Sequence, residues 1–148
     1  MKICQLTNVG FALNNFLLPL VDAQIANGNE VVCVCAKDEY VYDMRRAGYK
    51  VVTLPITRGI NPLKHLHSIW AIYWFLRREQ FDLVHVHTPV AAIIGRIAAW
   101  ICRVPLVIYT AHGFYFHEKM PLVKLKIFIW VERFAGYFTD LLFTQSSE

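Results

Sequence analysis

Short apolar runs at residues 2–7, 30–36, 50–55, 83–86, 106–110 and 141–145 alternate with helical stretches at 15–27, 38–47, 61–80, 89–102 and 121–137. That alternation constrains the fold more than any single motif. Runs this short suit buried strands, and a strand–helix–strand rhythm is the mark of parallel strands joined by crossover helices. The second run is almost continuously apolar, as expected of a strand covered on both faces. Right-handed crossovers then predict an α/β chain with a Rossmann-like open parallel sheet of about six strands, order 3-2-1-4-5-6, and helices on both faces. In that order the first and fourth strands are neighbours, and open sheets carry ligands at such a switch point. No repeat or linker interrupts the pattern, so residues 1–148 read as one domain.

Local punctuation supports these elements. Pro19 falls in the first turn of helix 15–27 and Gly28 stops it; Gly48 closes helix 38–47; Asn61-Pro62 opens the long helix. Thr88 is expected to cap the fifth helix, with Pro89 in its first turn. What remains is a rim of turns: residues 8–14, Arg58, His87-Thr88 and 111–117.

Hydrophobic residues make up 56% of the chain and the mean hydropathy is +0.37. Even so, no run approaches the roughly 20 apolar residues of a membrane span. Met1-Lys2 leads straight into a strand with no cleavable apolar region, so a cytoplasmic location is expected. A net charge of +4 favours an anionic partner, and nucleic acid, a nucleotide, a lipid phosphate and an acidic membrane all fit it. Cys4, Cys33, Cys35 and Cys102 lack zinc-ribbon spacing and are expected as buried, reduced thiols.

The first loop holds only Gly10, where a dinucleotide fingerprint needs G-x-G-x-x-G, so NAD and FAD are disfavoured. His85 and His87 share a strand face, about 7 Å apart. They resemble a metal-ligand pair, to which His112, His117 and Glu118 would add; a hydrogen-bonded core histidine is the other reading of His85. His112-Gly113 at a strand's C-terminal end can meet a sugar hydroxyl or phosphate, with glycine allowing close approach. Phe114, Tyr115 and Phe116 form an aromatic wall for that ligand, or else plug the sheet edge. Lys126, Trp130, Arg133 and Tyr137 fall on one helical stripe, which suits a bilayer surface or a solvated face. Helix 62–80 is apolar nearly all round and must be buried or meet something greasy.

Several segments carry a family likeness: Phe16-Leu-Leu-Pro-Leu-Val-Asp22, Arg58-Gly-Ile-Asn-Pro-Leu63, Phe81-Asp-Leu-Val-His-Val-His-Thr-Pro89, Gly95-Arg-Ile-Ala98, Tyr109-Thr-Ala-His-Gly-Phe114, Glu132-Arg133 and Thr139-Asp140. With them the chain resembles the N-terminal domain of GT-B-fold retaining glycosyltransferases of family four, which build capsule and other surface polysaccharides. The resemblance implies an acceptor-binding domain facing a donor domain that this chain lacks, and so no sugar transfer by the chain alone. It implies that His112 reaches the donor sugar as the catalytic residue, with Gly10 and Phe11 near the donor phosphates. Arg58, His87, Thr88, Gly113 and Phe114 would line the acceptor side. A nucleotide sugar would be the donor substrate, a polyprenyl-diphosphate-linked saccharide the acceptor, and the inner face of the cytoplasmic membrane the docking surface through Lys126, Trp130, Arg133 and Tyr137. No metal, no cofactor and no nucleic acid are expected. The rivals are a non-catalytic membrane-docking subunit that recruits a separate catalytic chain, and a histidine-metal hydrolase.

Overall fold

The computed structural model describes residues 1–57, 59, 61–112 and 120–144. Strands β1 (Lys2–Leu6), β2 (Glu30–Cys35), β3 (Val51–Thr53), β4 (Leu83–Val86), β5 (Leu106–Ala111) and β6 (Leu141–Thr144) form a parallel sheet in the order β3-β2-β1-β4-β5-β6. This is the predicted order. Around the sheet lie α1 (Gly10–Ala12), which continues through a π-helical stretch (Leu13–Leu17) into α2 (Leu18–Ala26), then α3 (Tyr40–Arg46), α4 (Pro62–Glu79), α5 (Pro89–Ile101) and α6 (Leu122–Gly136).

Side-chain alternation along the strands sorts the core into two layers. On one face Cys4, Leu6, Val34, Val84, Val86 and Tyr109 meet Ile72, Phe75 and Leu76 of α4 and Ala91, Ile94 and Ala98 of α5. On the other, Ile3, Val31, Cys33, Cys35 and Leu83 meet Leu13, Leu17 and Val21 of the first helical segment and Val41 and Met44 of α3. Each such leucine or valine contributes about 1.5–3 kcal/mol through burial. The cysteines are unpaired by disulfides, and burial pushes the Cys33 and Cys35 thiols up to about 12.

Two boundaries depart from the local reading. The first helix starts at Gly10 rather than residue 15, because the Asp38 carboxylate accepts the amides of Gly10 at 2.6 Å and Phe11 at 3.2 Å. An acceptor on a helix's unpaired first amides extends the helix backwards. Thr88 precedes α5 but makes no side-chain cap; its hydroxyl is turned to another loop. By contrast, Asn61 caps α4 as expected, its side chain accepting from the Lys64 amide at 3.2 Å. α4 buries Ile72, Phe75 and Leu76 and leaves Leu63, Leu66, Trp70 and Trp74 exposed.

α5 is clamped to the sheet by two adjacent residues. A Cβ on Gly95 would meet Leu6 Cδ2 and Val86 Cγ1, so only glycine allows this approach. Arg96 is 2% exposed; its guanidinium lies 4.4 Å from the Tyr109 ring centroid and donates to Ala92 O, Thr139 Oγ1 and, at 2.9 Å, Glu132 Oε2. The cation thus fastens α6 and the turn before β6 to α5. Gly95→Ala is expected to destabilise the fold, since overpacking costs about 1–3 kcal/mol against a helix-propensity gain of roughly 1 kcal/mol. Gly136→Ala, where nothing lies within 4 Å, should be neutral or stabilising. Urea unfolding of the two variants measures the contrast; equal midpoints would refute the clamp.

Candidate functional site

The C-terminal ends of β1, β4 and β5 converge on a chain of side-chain hydrogen bonds. Gln5, next to the last residue of β1, pairs in register with His85 of β4. Its Nε2 donates to Gln24 Oε1 on α2 at 2.8 Å and faces His85 Nδ1 at 3.5 Å. Its carbonyl lies 2.7 Å from His87 Nε2. His87 Nδ1 then lies 3.2 Å from His112 Nε2. On the other branch His85 Nε2 lies 2.7 Å from Thr110 Oγ1. The two-residue spacing puts His85 and His87 on one strand face, and their rings lean together until the centroids are 4.1 Å apart.

Burial sets the charge of this chain. It holds the imidazole of His85 down at about 4 and that of His87 at about 2, with the neighbouring histidines adding a smaller push. Both rings are therefore neutral at neutral pH. His87 is 1% exposed. It was read as lining the acceptor side, but both its ring nitrogens are engaged within the protein, so it touches His112 rather than open space. His85 is the hydrogen-bonded core histidine of the plainer reading. His112 is exposed and lines a cleft of about 390 Å³ with Ala12, Phe16, Leu17 and Thr88.

Thr88 ties the β1 and β4 turns together. Its Oγ1 accepts from the Asn8 amide at 3.3 Å and its carbonyl accepts from Ala92 N at 2.8 Å. Its φ of 53° is an uncommon conformation for a β-branched residue, and strain of about 1–3 kcal/mol in such positions gathers at functional sites. Beside it, the Gly10 and Phe11 amides, read as donor-phosphate ligands, already hold Asp38. The other Asp38 oxygen, Oδ1, is buried without a hydrogen-bond partner among the described residues. Arg58, Gly113 and Phe114, together with His117 and Glu118, lie outside the described residues.

Among the described residues no group of three or more histidine, cysteine, aspartate or glutamate side chains is placed to hold a metal ion. Lys126, Trp130 and Arg133 on α6 and Tyr137 at its C-cap are all exposed, and Trp130 stacks on Phe134 with centroids 5.7 Å apart. The sequence reading missed Gln5, Gln24, Thr110 and Asp38. A glutamine inside the apolar run Lys2-Ile-Cys-Gln-Leu6 was the one signal available. A second cleft of about 400 Å³ lies beside Arg96, Glu132 and Asp140, but its buried cation is already paired with Glu132.

Between pH 6.5 and the depressed values, the unfolded chain binds protons that the folded histidines refuse. Stability is therefore undiminished above about pH 6.5 and falls as pH drops below it, at about 1.4 kcal/mol per pH unit for each histidine. His85→Asn should remove one histidine's share of that slope between about pH 6 and 4, read from urea unfolding at several pH values. An unchanged slope would refute the assignment.

The model of Glycosyltransferase Family 4 matches residues 13–148. An Escherichia coli UDP-Gal:alpha-D-GlcNAc-diphosphoundecaprenol alpha-1,3-galactosyltransferase is 39% identical over 111 residues, covering 74% of this chain and 28% of that protein. A Campylobacter jejuni N,N'-diacetylbacillosaminyl-diphospho-undecaprenol alpha-1,3-N-acetylgalactosaminyltransferase is 24% identical over 106 residues, 71% of this chain and 28% of its own length. The chain thus spans little more than a quarter of these relatives. Among solved structures, Acinetobacter baumannii MurG superposes with a TM-score of 0.68 at 10% identity, over 97% of this chain and 40% of MurG, a likeness of fold.

Proposed function

The chain belongs to Glycosyltransferase Family 4, and on that footing we propose that it is the N-terminal, acceptor-binding half of an enzyme moving a sugar from a nucleotide sugar to a lipid-linked saccharide. The observation that carries this reading is His112, exposed in the cleft at the β1/β4 switch point and hydrogen-bonded from behind by a buried histidine. Relatives named as transferases onto diphosphoundecaprenol-linked sugars support the substrate class, and surface polysaccharide or capsule synthesis is the setting we infer. The donor domain would be a second body, and no cofactor beyond the nucleotide sugar substrate is needed.

His112 meets the donor sugar across the interdomain cleft. Catalysis is then electrostatic and positional, stabilising an oxocarbenium-like transition state while the diphosphate leaves toward the donor domain. Thr88, with Arg58, Gly113 and Phe114, forms the acceptor side, and His87 acts only through His112. For a donor phosphate to reach the amides of Gly10 and Phe11, the Asp38 carboxylate must first withdraw, since two anions do not share one pair of donors. His112→Ala, in the enzyme with its donor domain, is expected to lower turnover on the order of 10²-fold while leaving the fold intact. Unchanged turnover from the folded variant would refute the role.

The membrane is the second partner we propose. No helix among the described residues is long and apolar enough to cross a bilayer, so contact would be peripheral, at the inner face of the cytoplasmic membrane. Exposed Lys126, Trp130 and Arg133 on α6 and Tyr137 at its C-cap supply cations beside aromatic rings that favour the headgroup layer. Each basic residue near an anionic surface contributes about 1 kcal/mol. Changing Lys126 and Arg133 together to glutamine should weaken binding to anionic vesicles on the order of 10-fold or more at low salt, with little effect on neutral ones. Equal co-sedimentation of variant and parent with anionic vesicles would favour the rival, a solvated face.

A further inference from the structure

The hydrogen bonds behind His112 can be followed proton by proton. Gln5 is oriented by its amide nitrogen, which donates to Gln24 Oε1 at 2.8 Å. Its carbonyl oxygen, 2.7 Å from His87 Nε2, can only accept. His87 therefore carries its proton on Nε2. A buried neutral imidazole has one proton, so His87 Nδ1 is a bare lone pair. The group facing that lone pair at 3.2 Å is His112 Nε2, which must donate. With His87 neutral, the neutral His112 ring thus carries its proton on Nε2 and leaves Nδ1 bare. His85 follows the same rule: its Nδ1 faces the Gln5 amide and its Nε2 donates to Thr110 Oγ1 at 2.7 Å.

We propose that Gln5 and His87 are positioning residues that fix His112 as its Nε2–H tautomer, so that Nδ1 is the one ring nitrogen offered to the cleft and, in neutral His112, accepts a hydrogen bond from a sugar hydroxyl. A free neutral histidine in water favours the Nε2–H tautomer but exchanges with the other, so it would present a lone pair at one moment and an N–H at the next. Here the choice is made two hydrogen bonds away, by the orientation of the Gln5 amide. The contact with a sugar hydroxyl rests on the reading of His112 given above; the tautomer lock does not. Specificity follows from the same geometry. A bare nitrogen rewards a ligand that donates and leaves an ether or a deoxy position unpaired, which a polar site rejects strongly.

Long-range ¹⁵N–¹H spectra of this chain at about pH 8, where an ordinary histidine is neutral, read each ring nitrogen directly. The expected result is a protonated Nε2 and a bare Nδ1 for His85, His87 and His112 alike. Gln5→Met removes the acceptor that fixes His87 and should bring mixed tautomers to His112, which Gln5 does not touch; loss of packing alone would not do this. A tautomer mixture at His112 in the parent chain overturns the lock, whether or not the variant folds. In the enzyme with its donor domain, asparagine places its amide near the Nδ1 position and glutamine near Nε2. His112→Asn is therefore expected to keep on the order of 10-fold more turnover than His112→Gln, and the reverse order overturns the Nδ1 contact. A fixed tautomer together with full turnover in His112→Ala would overturn the sugar contact and leave the lock standing, so the two claims fail separately.

Discussion

Everything at the rim depends on β1 and β4 lying side by side. Their parallel register sets Ile3 against Leu83, Gln5 against His85 and Leu6 against Val86. Because strand side chains alternate, this register puts Gln5, His85 and His87 on one face and Leu6, Val84 and Val86 on the other. A slip of β4 by one residue would drive its two imidazoles into the layer under α5, where a Cβ on Gly95 would already meet Leu6 and Val86. The apolar packing of one face thus holds the polar chemistry of the other in place.

Buried polar groups are costly unless each finds a partner. The amide of Gln5 serves Gln24 and both strand histidines, and a second buried set around Arg96 joins Glu132, Thr139 and the Tyr109 ring. The two sets lie on opposite sides of the sheet. Arg96 anchors the last helix and strand, whereas Gln5 orients rings at the rim. Pairing the Arg96 cation with Glu132 is required once it is buried, since an unpaired charge there would cost several kcal/mol.

The fold was legible because its cues are local. Leu83–Val86 and Pro62–Glu79 fall where apolar run length and Asn61-Pro62 put them. The histidine pair was legible through the period of the strand. What escaped was set by contacts distant in sequence. Asp38 draws the first helix back to Gly10 from 28 residues away, and Thr88 gives up its capping role because Asn8 claims its hydroxyl. Nothing near Gln5 in the chain announces that it will meet two histidines 80 and 82 residues later. The role of His87 shifted for the same reason: spacing placed it at the rim, but only the packed neighbours reveal that it is enclosed.

β6 closes the sheet with a different kind of exposure. Leu141, Leu142 and Phe143 are each about half exposed, on a strand whose outer backbone groups have no neighbouring strand among the described residues. Sheets elsewhere blunt such margins with charge, proline or a bulge, and this strand has none of these in its four residues, Leu-Leu-Phe-Thr. An unguarded edge of this kind is the sort along which two strands pair, and a lysine in place of Leu142 would supply the charge that other sheet margins carry.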